Sequence, residues 1–436
     1  MIGVLLASAL AVSPALAADP QALSLADALA LVVARNPDLA SAKLGQTIAA
    51  IDARRARLDR FTAELAVTGG GDLGVTKPWK QDGYTGADAN WGGTATVGVP
   101  IWAGGAYRAA IDSADAANDI AALDQTISAR SLVRATYTAY WNIKGYELQI
   151  AAAQEGLDLT QQSLDVIVAK ANAGLAAGID VNRSKVDLYS QQEALVEDKA
   201  ALAEADEELI RLLHLDGGPI TLTDDPPAPS ADPVRADEAT IAARPELKRQ
   251  ALEAREADDA VRTAQSAALP QIGLTGTASA AASGTGVTGT PLTADSLGPD
   301  LTASVGLQLT WNPFNLWKVR DAVAEARLRA EQVDRGTDSE KAQLAADLRQ
   351  AATNVAQLRE RAPLVDAQVA LARDNLQIVQ GLYGQGSAAI LDLFNAQAAF
   401  RSARTQGASL RVQLATAECD LRWLLGTDVI QPAGTP

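Results

Sequence analysis

Cysteine and histidine are almost absent from this sequence, with one of each among its 436 residues. A single cysteine, Cys419, cannot form an intrachain disulfide or a cysteine-rich metal site, and a single histidine, His214, leaves little room for imidazole catalysis. The sequence also shows no pairing of a nucleophile with a base and no phosphate-binding loop. We therefore expect a protein that is not an enzyme and holds no cofactor and no metal. We interpret His214 as a helix-end surface residue and Cys419 as an inert apolar residue in a packed helix.

Positive charge and aromatic side chains are also scarce. The 37 lysines and arginines are outnumbered by 53 acidic residues, and the net charge of −16 excludes nucleic acid as an expected partner. Aromatic residues make up 4% of the chain, although hydrophobic residues make up 48%. That balance, dominated by alanine, leucine and valine, favours long and closely packed helices. No apolar run reaches the length of a membrane-spanning helix.

One long stretch of the sequence occurs twice, first at about Val99–Asp216 and again at about Trp311–Asp428. A constant shift of 212 residues aligns the two copies without a gap, which indicates a tandem duplication. Each copy is predicted to be a long helical hairpin. The matched pairs include Arg108 with Arg320, Asn142 with Asn354, Gly174 with Gly386, Asp180 with Asp392, and Asp216 with Asp428.

The order of segments predicts a secreted protein built from two repeats. The apolar run Ile2–Val12, followed by Ala15-Leu16-Ala17, is typical of a secretory signal cleaved before Ala18, and a buried N-terminal helix is the alternative. Between the repeats lies a connector rich in proline and aspartate, in which Ile220–Leu222 is a candidate short strand. The expected boundaries are a signal peptide at 1–17, a first repeat at 18–216, a connector at 217–234, a second repeat at 235–428 and a tail at 429–436.

Each repeat opens with a helix that has proline in its first turn, where the missing N–H costs nothing. Ser24 is the expected cap of a preceding short helix that ends near Asn36, and Pro37 starts the next helix. Arg244-Pro245-Glu246-Leu247 repeats this opening with an offset of 208 rather than 212. We therefore place the four-residue difference in the β segment that separates each proline from its long hairpin.

Four stretches in that segment alternate between apolar and polar residues with period two. Each is about 9–11 residues long, which suits a tilted strand that crosses a bilayer; a soluble sandwich sheet is the alternative. Aromatic residues flank the strands, as the girdles of a membrane β-barrel do. Four strands cannot close, and an open edge in lipid leaves backbone groups unpaired, so several chains must assemble the barrel. The predicted strands are Thr62–Gly69, Thr94–Trp102, Gln271–Ala280 and Leu301–Trp311, with Phe61, Trp102, Trp311, Phe314 and Trp317 at one end and Trp79, Tyr84 and Trp91 towards the other.

The predicted helices are too long for an ordinary domain. Gly105–Asn172 would measure roughly 100 Å at 1.5 Å per residue, whereas the returning segments Asp180–His214 and Asp392–Leu425 would reach only about 50 Å. The opening helices Asp38–Arg60 and Pro245–Ala268 have about the missing length and could stack end-on above the returning segments. Leucine and alanine at three-four spacing along the returning segments predict coiled-coil packing.

Short motifs occupy matching places in the two repeats. They are Asn36-Pro37 and Arg244-Pro245-Glu246-Leu247 at the openings, Pro100-Ile101-Trp102-Ala103-Gly104-Gly105 and Asn312-Pro313-Phe314-Asn315 at the strand-to-helix junctions, and Gly174–Asp180 and Gly386–Asp392 at the turns. In this order and spacing they resemble the TolC-like outer-membrane factors over nearly the whole mature chain.

The resemblance implies a mainly α-helical protein with membrane β-strands. It would be a homotrimer in which four strands per chain form a 12-stranded outer-membrane β-barrel, continued by a long periplasmic α-helical barrel with a small mixed equatorial region. Such channels are exit ducts of tripartite efflux pumps or type I secretion systems. Their implied partners are outer-membrane lipid, a periplasmic adaptor protein and a proton-driven or ATP-driven inner-membrane transporter.

The resemblance also implies roles for the hairpin ends. Asp392 would face the lumen at a periplasmic constriction, where three copies form an acidic ring, and Tyr383 matches a gate residue. Two positions depart from the family pattern. Asn395 replaces a second aspartate, and Ala388 replaces an arginine that bridges neighbouring hairpins, for which Arg183 is the candidate substitute.

The residues alone support a simpler role at the same ends. Asp180 and Asp392 each begin a returning helix, where a carboxylate favours the N-terminal dipole, and we expect Asp180 to serve mainly as a cap. The turn residues resemble tips that meet an adaptor, although a tight turn with positive φ also requires glycine. These tip residues are Gly174 and Leu175 in the first hairpin and Gly386 and Ser387 in the second.

Two other classes of protein have long helical hairpins. A periplasmic adaptor would need a lipoyl-like β-domain in place of four amphipathic strands with aromatic ends. A structural coiled-coil protein would account for the helices but would leave the strands unexplained.

Overall fold

The computed structural model describes residues 21–60, 63–76, 86–218, 220–226, 241–287 and 300–426. The predicted signal peptide, Phe61, Trp79 and Tyr84, half of the connector and the tail lie outside these ranges. The described residues form two compact units: the first belongs to Met1–Ala42, Gln125–Pro245 and Glu340–Pro436, and the second to Lys43–Asp124 and Glu246–Ser339.

Helices account for most of the described residues. They are α1 (Leu25–Arg35), α2 (Pro37–Asp59), α3 (Ala106–Asn172), α4 (Gly178–Leu213), α5 (Pro245–Ser266), α6 (Leu316–Gln385) and α7 (Ile390–Leu425). The outgoing helices α3 and α6 have 67 and 70 residues, and the returning helices α4 and α7 have 36 each. The predicted helix lengths are therefore confirmed, and the two hairpins match in length as a tandem duplication predicts. No helix among the described residues combines the length and the hydropathy that a bilayer-spanning helix needs.

The residue before each opening proline holds the end of a returning helix. Asn36 Nδ2 donates to the carbonyl of Leu212 at 3.2 Å, and Arg244 Nη1 donates to the carbonyl of Leu424 at 2.7 Å. Asn36 and Arg244 are themselves buried, and each gives a helix-end carbonyl the partner that it lacks within its own helix. The two repeats thus share this contact with different side chains, which gives the proline motif a structural reason.

Both returning helices of the first unit end in a left-handed residue. His214 ends α4 with φ 50° and ψ 50°, and Gly426 ends α7 with φ 70°. His214 is the only residue other than glycine with positive φ in the described part of the chain. His214 was expected at a helix end, at the position that Gly426 occupies in the other repeat. This expectation is confirmed.

Replacing His214 by glycine is expected to stabilise the protein, because a residue with a Cβ loses about 1–2 kcal/mol in this conformation. Part of that gain is offset by the entropy of glycine in the unfolded chain, so we expect a net stabilisation of about 0.5–1 kcal/mol. Denaturant unfolding of the purified protein measures it. Gly426→Ala is the matched control and should destabilise by a similar amount; a loss of stability in His214→Gly would contradict the argument.

A small two-stranded sheet completes the first unit. The strands β1 (Gln21–Leu23) and β4 (Ile220–Leu222) pair in parallel, with Leu23 opposite Leu222. This confirms the short strand expected in the connector, whereas its partner β1 was not predicted. The Tyr140 hydroxyl bonds to the carbonyl of Leu23 at 3.2 Å and anchors the sheet on α3.

The second unit contains a four-stranded antiparallel sheet with the order β2-β3-β5-β6. Its strands are β2 (Glu64–Thr76), β3 (Gly86–Trp102), β5 (Gln271–Val287) and β6 (Asp300–Thr310). The four predicted strands are confirmed, but β2, β3 and β5 continue well beyond the predicted bounds, to Thr76, Gly86 and Val287. The added residues are rich in glycine and alanine and lack regular alternation, so pairing with the neighbouring strand extends them where periodicity gives no signal.

The register of the sheet separates two chemically different faces. On one face, Val67, Ala95, Ala278 and Ala303 lie in one row across the four strands. The next residues along the strands put hydroxyl groups on the other face, where Ser279 Oγ lies 2.7 Å from Thr302 Oγ1. The apolar face carries exposed large side chains: Leu65, Val67, Leu73, Val97, Leu274, Leu301, Val305, Leu307 and Leu309.

The junction between strand and helix differs in the two repeats. Trp102 and Thr310, the last residues of β3 and β6, are still 208 residues apart. Three residues separate β3 from α3, and five separate β6 from α6, where the second repeat has a 3₁₀ turn at Pro313–Asn315. Part of the four-residue difference therefore lies at this junction, between the proline and the long hairpin, and not within the strands. In the first repeat, Gly104 has φ 62° and a Cβ there would lie 2.8 Å from the carbonyl oxygen of Ser266, so only glycine fits.

Candidate functional site: the hairpin ends

The two hairpin turns of the first unit have the same backbone geometry. Gly174 and Gly386 adopt φ 73° and 80°. The next amide, of Leu175 or Ser387, reaches back to the carbonyl of Lys170 or Leu382 at 2.8 Å in each case. Each turn is a Schellman motif, which explains why glycine occurs at both positions. No atom lies within 4 Å of a Cβ built on either glycine, and Leu175 is 77% exposed, so the tips present themselves to solvent.

The two aspartates of the returning helices meet their helix ends differently. Both lie in the first turn, where a carboxylate favours the helix dipole, as expected. The Asp392 carboxylate also accepts from the amide of Ala389 at 3.2 Å and caps α7, whereas the structure shows no such bond to the Asp180 carboxylate. Asp392 and Asn395 are both exposed, three residues apart on one helix face.

Tyr383 is 7% exposed and packs into an apolar cluster in the first unit. Burial raises the pKa of its hydroxyl above the usual value, and the charge of Asp180 raises it further. The clustered side chains are Ile167, Leu376, Leu393, Ala396 and Phe400, with Ala388 partly buried beside them. The predicted gate tyrosine is therefore a packing residue of its own chain, with Asp180 close enough to act on its electrostatics.

Lys170, in the last turn of α3, was not singled out by the sequence. Its ammonium group donates to the backbone carbonyl of Tyr383 and lies 4.3 Å from the centre of the Tyr383 ring. From sequence, Lys170 looked like an ordinary cation at a helix C-terminus, where it favours the dipole. Arg183, the candidate substitute for the missing arginine at 388, is exposed on α4.

A network of charges joins helices of the first unit at a level above the turns. Glu155 of α3 bonds to Arg373 of α6 at 2.8 Å and to Arg404 of α7 at 3.0 Å. Arg401 of α7 pairs with Asp187 of α4 at 3.4 Å. We call these five residues the collar. Sequence analysis missed it because its members are far apart in the chain and each follows the ordinary surface pattern of a helix.

Several aromatic residues described in the second unit lie at or just after strand ends, and Trp91 lies within β3. Trp102 ends β3, and Trp311 follows β6 with its indole N–H bonded to the carbonyl of Ala268 at 3.1 Å. Phe314 is 86% exposed in the 3₁₀ turn. Trp91 is opposite Gly71 and Ala282.

The spacing of the tryptophans on β3 matches a bilayer. Trp91 and Trp102 are 11 residues apart, or about 36 Å along a strand. A tilt of about 40° reduces that separation to roughly 28 Å, close to the apolar band of outer-membrane barrels. The parts of β2, β3 and β5 beyond Trp91 would extend past this band.

Cysteine and histidine, which occur once each, contribute no chemistry in the described part of the chain. Cys419 is buried, and burial raises the pKa of its thiol to about 12, so it stays protonated at neutral pH. No group of histidine, cysteine and carboxylate side chains suited to a metal ion occurs among the described residues.

Comparisons with known proteins agree with this geometry. The model of the outer membrane efflux protein family matches residues 28–214 and 238–427, one match for each repeat. The channel OprN has a TM-score of 0.79 at 19% identity, covering 93% of this chain and 90% of that chain. VceC from Vibrio cholerae gives 0.74 at 17% (92% and 96%), and CmeC from Campylobacter jejuni gives 0.76 at 15% (92% and 85%). No curated protein sequence matches significantly.

Proposed function

Because this chain belongs to the outer membrane efflux protein family, we propose that it is the exit duct of a tripartite export system in the cell outer membrane. Its helices extend into the periplasm. The family match supports the resemblance to TolC-like outer-membrane factors. Substrates would leave the cell through the duct without chemical change, with a periplasmic adaptor and an inner-membrane transporter as partners.

The observation that carries this proposal is the sheet of the second unit. One face is apolar and exposed across all four strands, whereas the other carries hydroxyl groups. An apolar outer face suits lipid, and a hydroxyl-lined inner face suits a water-filled lumen. Neither a periplasmic adaptor nor a structural coiled-coil protein would account for a sheet with one exposed apolar face.

The two edges of the sheet require further copies of the chain. Among the described residues, β2 and β6 each pair with one neighbour, so each leaves a row of backbone donors and acceptors open. Unpaired backbone groups in lipid cost several kcal/mol each, and closure of the sheet removes them. We propose that β2 of one protomer pairs with β6 of the next, which gives 12 strands in a homotrimer.

This closure predicts specific cross-links between protomers. Cysteine at Ala66 on β2, combined in turn with cysteine at Thr302, Ser304 or Gly306 on β6, should give disulfide-linked dimers and trimers in membranes for at least one pair. The same partners combined with cysteine at Thr96 on β3 form the control and should stay unlinked, because β3 is an inner strand. A detergent-solubilised monomer with a closed barrel would refute the proposal.

The hairpin ends would form the periplasmic mouth of the duct. In this proposal Asp392 lines the constriction, and neutral Asn395 lies about one helical turn further along the same face of α7. The exposed tips at Gly174, Leu175, Gly386 and Ser387 would be read by the adaptor. Their exposure and their identical turns in both repeats support this assignment.

A further inference from the structure

The strongest unassigned feature of the hairpin ends is the contact between Lys170 and Tyr383. Lysine carries three donors and a compact charge. Here the ammonium group bonds to the backbone carbonyl of Tyr383 and lies over its ring, so one cation holds both the backbone and the side chain of one residue. The contact joins the last turn of α3 to the last turn of α6.

The collar limits what this contact can control. Arg373 fixes α6 to Glu155 of α3. Between Arg373 and the end of α6 at Gln385, no other side-chain hydrogen bond or ion pair links α6 to α3 in the described part of the chain. The rest of that interface is apolar packing around Tyr383. The final three turns of α6 are therefore held to α3 by non-directional contacts and by one cation.

We propose that Lys170 is the latch of the periplasmic mouth: a positioning residue that keeps the end of α6 in the closed arrangement through Tyr383. This inference rests on the proposed function, since it concerns the gate of the same duct. It assigns the task of the arginine missing at Ala388 to a cation of the same chain on a different helix. The latch works within one protomer, whereas an arginine at 388 would act between protomers.

The chemistry of the contact determines which substitutions should break it. Methionine at 170 keeps the length and apolar stem but loses all donors and the charge. Arginine keeps the charge, the donors and the affinity for an aromatic face. Tyr383→Leu removes the ring and keeps the carbonyl, so it should release the latch in part.

The test uses the purified full-length protein in planar bilayers and in solution. Lys170→Met should raise the closed-state conductance several-fold and speed amide hydrogen exchange in residues 374–385 by at least tenfold. Lys170→Arg should return both values to within about twofold of the wild type. Lys185→Met, at an exposed lysine of α4, is the matched control and should change neither.

The outcomes separate the latch from the duct. If the wild type does not conduct at all, the proposed function fails, while exchange in residues 374–385 still reports whether Lys170 holds α6. Unchanged exchange in Lys170→Met overturns the latch whatever the conductance does. Faster exchange with unchanged conductance also overturns it, because Lys170 would then hold the helix without closing the mouth. If Lys170 were merely structural, Lys170→Met would lower the thermal stability of the oligomer. Lys170→Arg would then not selectively restore the conductance and the exchange at the mouth.

Discussion

Replacing Gly386 by leucine is expected to abolish export while the oligomer and its β-sheet remain intact. No atom lies within 4 Å of a Cβ built at Gly386, so the new side chain would project from the tip and meet no part of its own chain. The backbone strain at φ 80° costs only about 1–2 kcal/mol, which a large assembly tolerates. An adaptor that packs on the tip would instead meet a bulky group at the centre of its contact, where single substitutions cost several kcal/mol. Survival of cells on a toxic compound that the proposed export system removes measures export.

Two further variants show whether the leucine acts on a partner or on the turn. Gly386→Asn keeps the left-handed conformation accessible with a small side chain and should retain much of the export. Gly336→Leu places the same side chain at another glycine with open surroundings, inside α6, and should leave export unchanged. Gly174→Leu should repeat the loss, because its turn has the same hydrogen bonds. Loss of the oligomer in the Gly386 variant would assign the glycine to turn structure alone.

The architecture was predictable because it is written in periodic patterns. The alternation along β6 and the glycines of the turns depend on residues close together in sequence, and the 212-residue offset appears when the chain is aligned with itself. The structure confirms the helices and strands that these patterns predict. The predictions were wrong for those strand boundaries that depend on pairing with a neighbouring strand. The extensions of β2, β3 and β5 are rich in glycine and alanine and carry no regular alternation, and their strand state is decided by a paired strand.

The candidate site was predictable in its position and much less in its contacts. The turns place Asp180, Tyr383 and Asp392 at the hairpin ends, but which aspartate caps its helix depends on a side-chain rotamer that no sequence pattern encodes. Lys170 and Glu155 make their contacts 213 and 249 residues away in sequence. Such contacts depend on the packing of four helices, which follows from the whole fold and not from any segment.

Asp392→Asn is expected to lower the preference of the channel for cations. In the proposed homotrimer, three copies of the Asp392 carboxylate would lie at a narrow mouth, where low-dielectric walls concentrate their field and raise the local concentration of cations. Neutral Asn395 leaves Asp392 as the charged residue of this helix face, so selectivity should depend largely on it. Loss of about 1 kcal/mol of attraction per cation corresponds to a change of roughly fivefold in the cation-to-anion permeability ratio. Reversal potentials in a salt gradient across a planar bilayer measure it, and block by multivalent cations should weaken in parallel.

Asparagine is the appropriate substitution because it also caps helices well. The bond that Asp392 accepts from the amide of Ala389 can be kept by the amide oxygen of asparagine, so the variant removes the charge and preserves α7. Asp180→Asn is the matched control. Asp180 is half-buried beside Tyr383, so its replacement should change the structure of the mouth more than the cation-to-anion permeability ratio. Equal changes in permeability ratio from both variants would contradict the difference between the two aspartates. An unchanged ratio in Asp392→Asn would leave Asp392 with the cap of α7 as its role, since the charge would then be remote from the conducted ions.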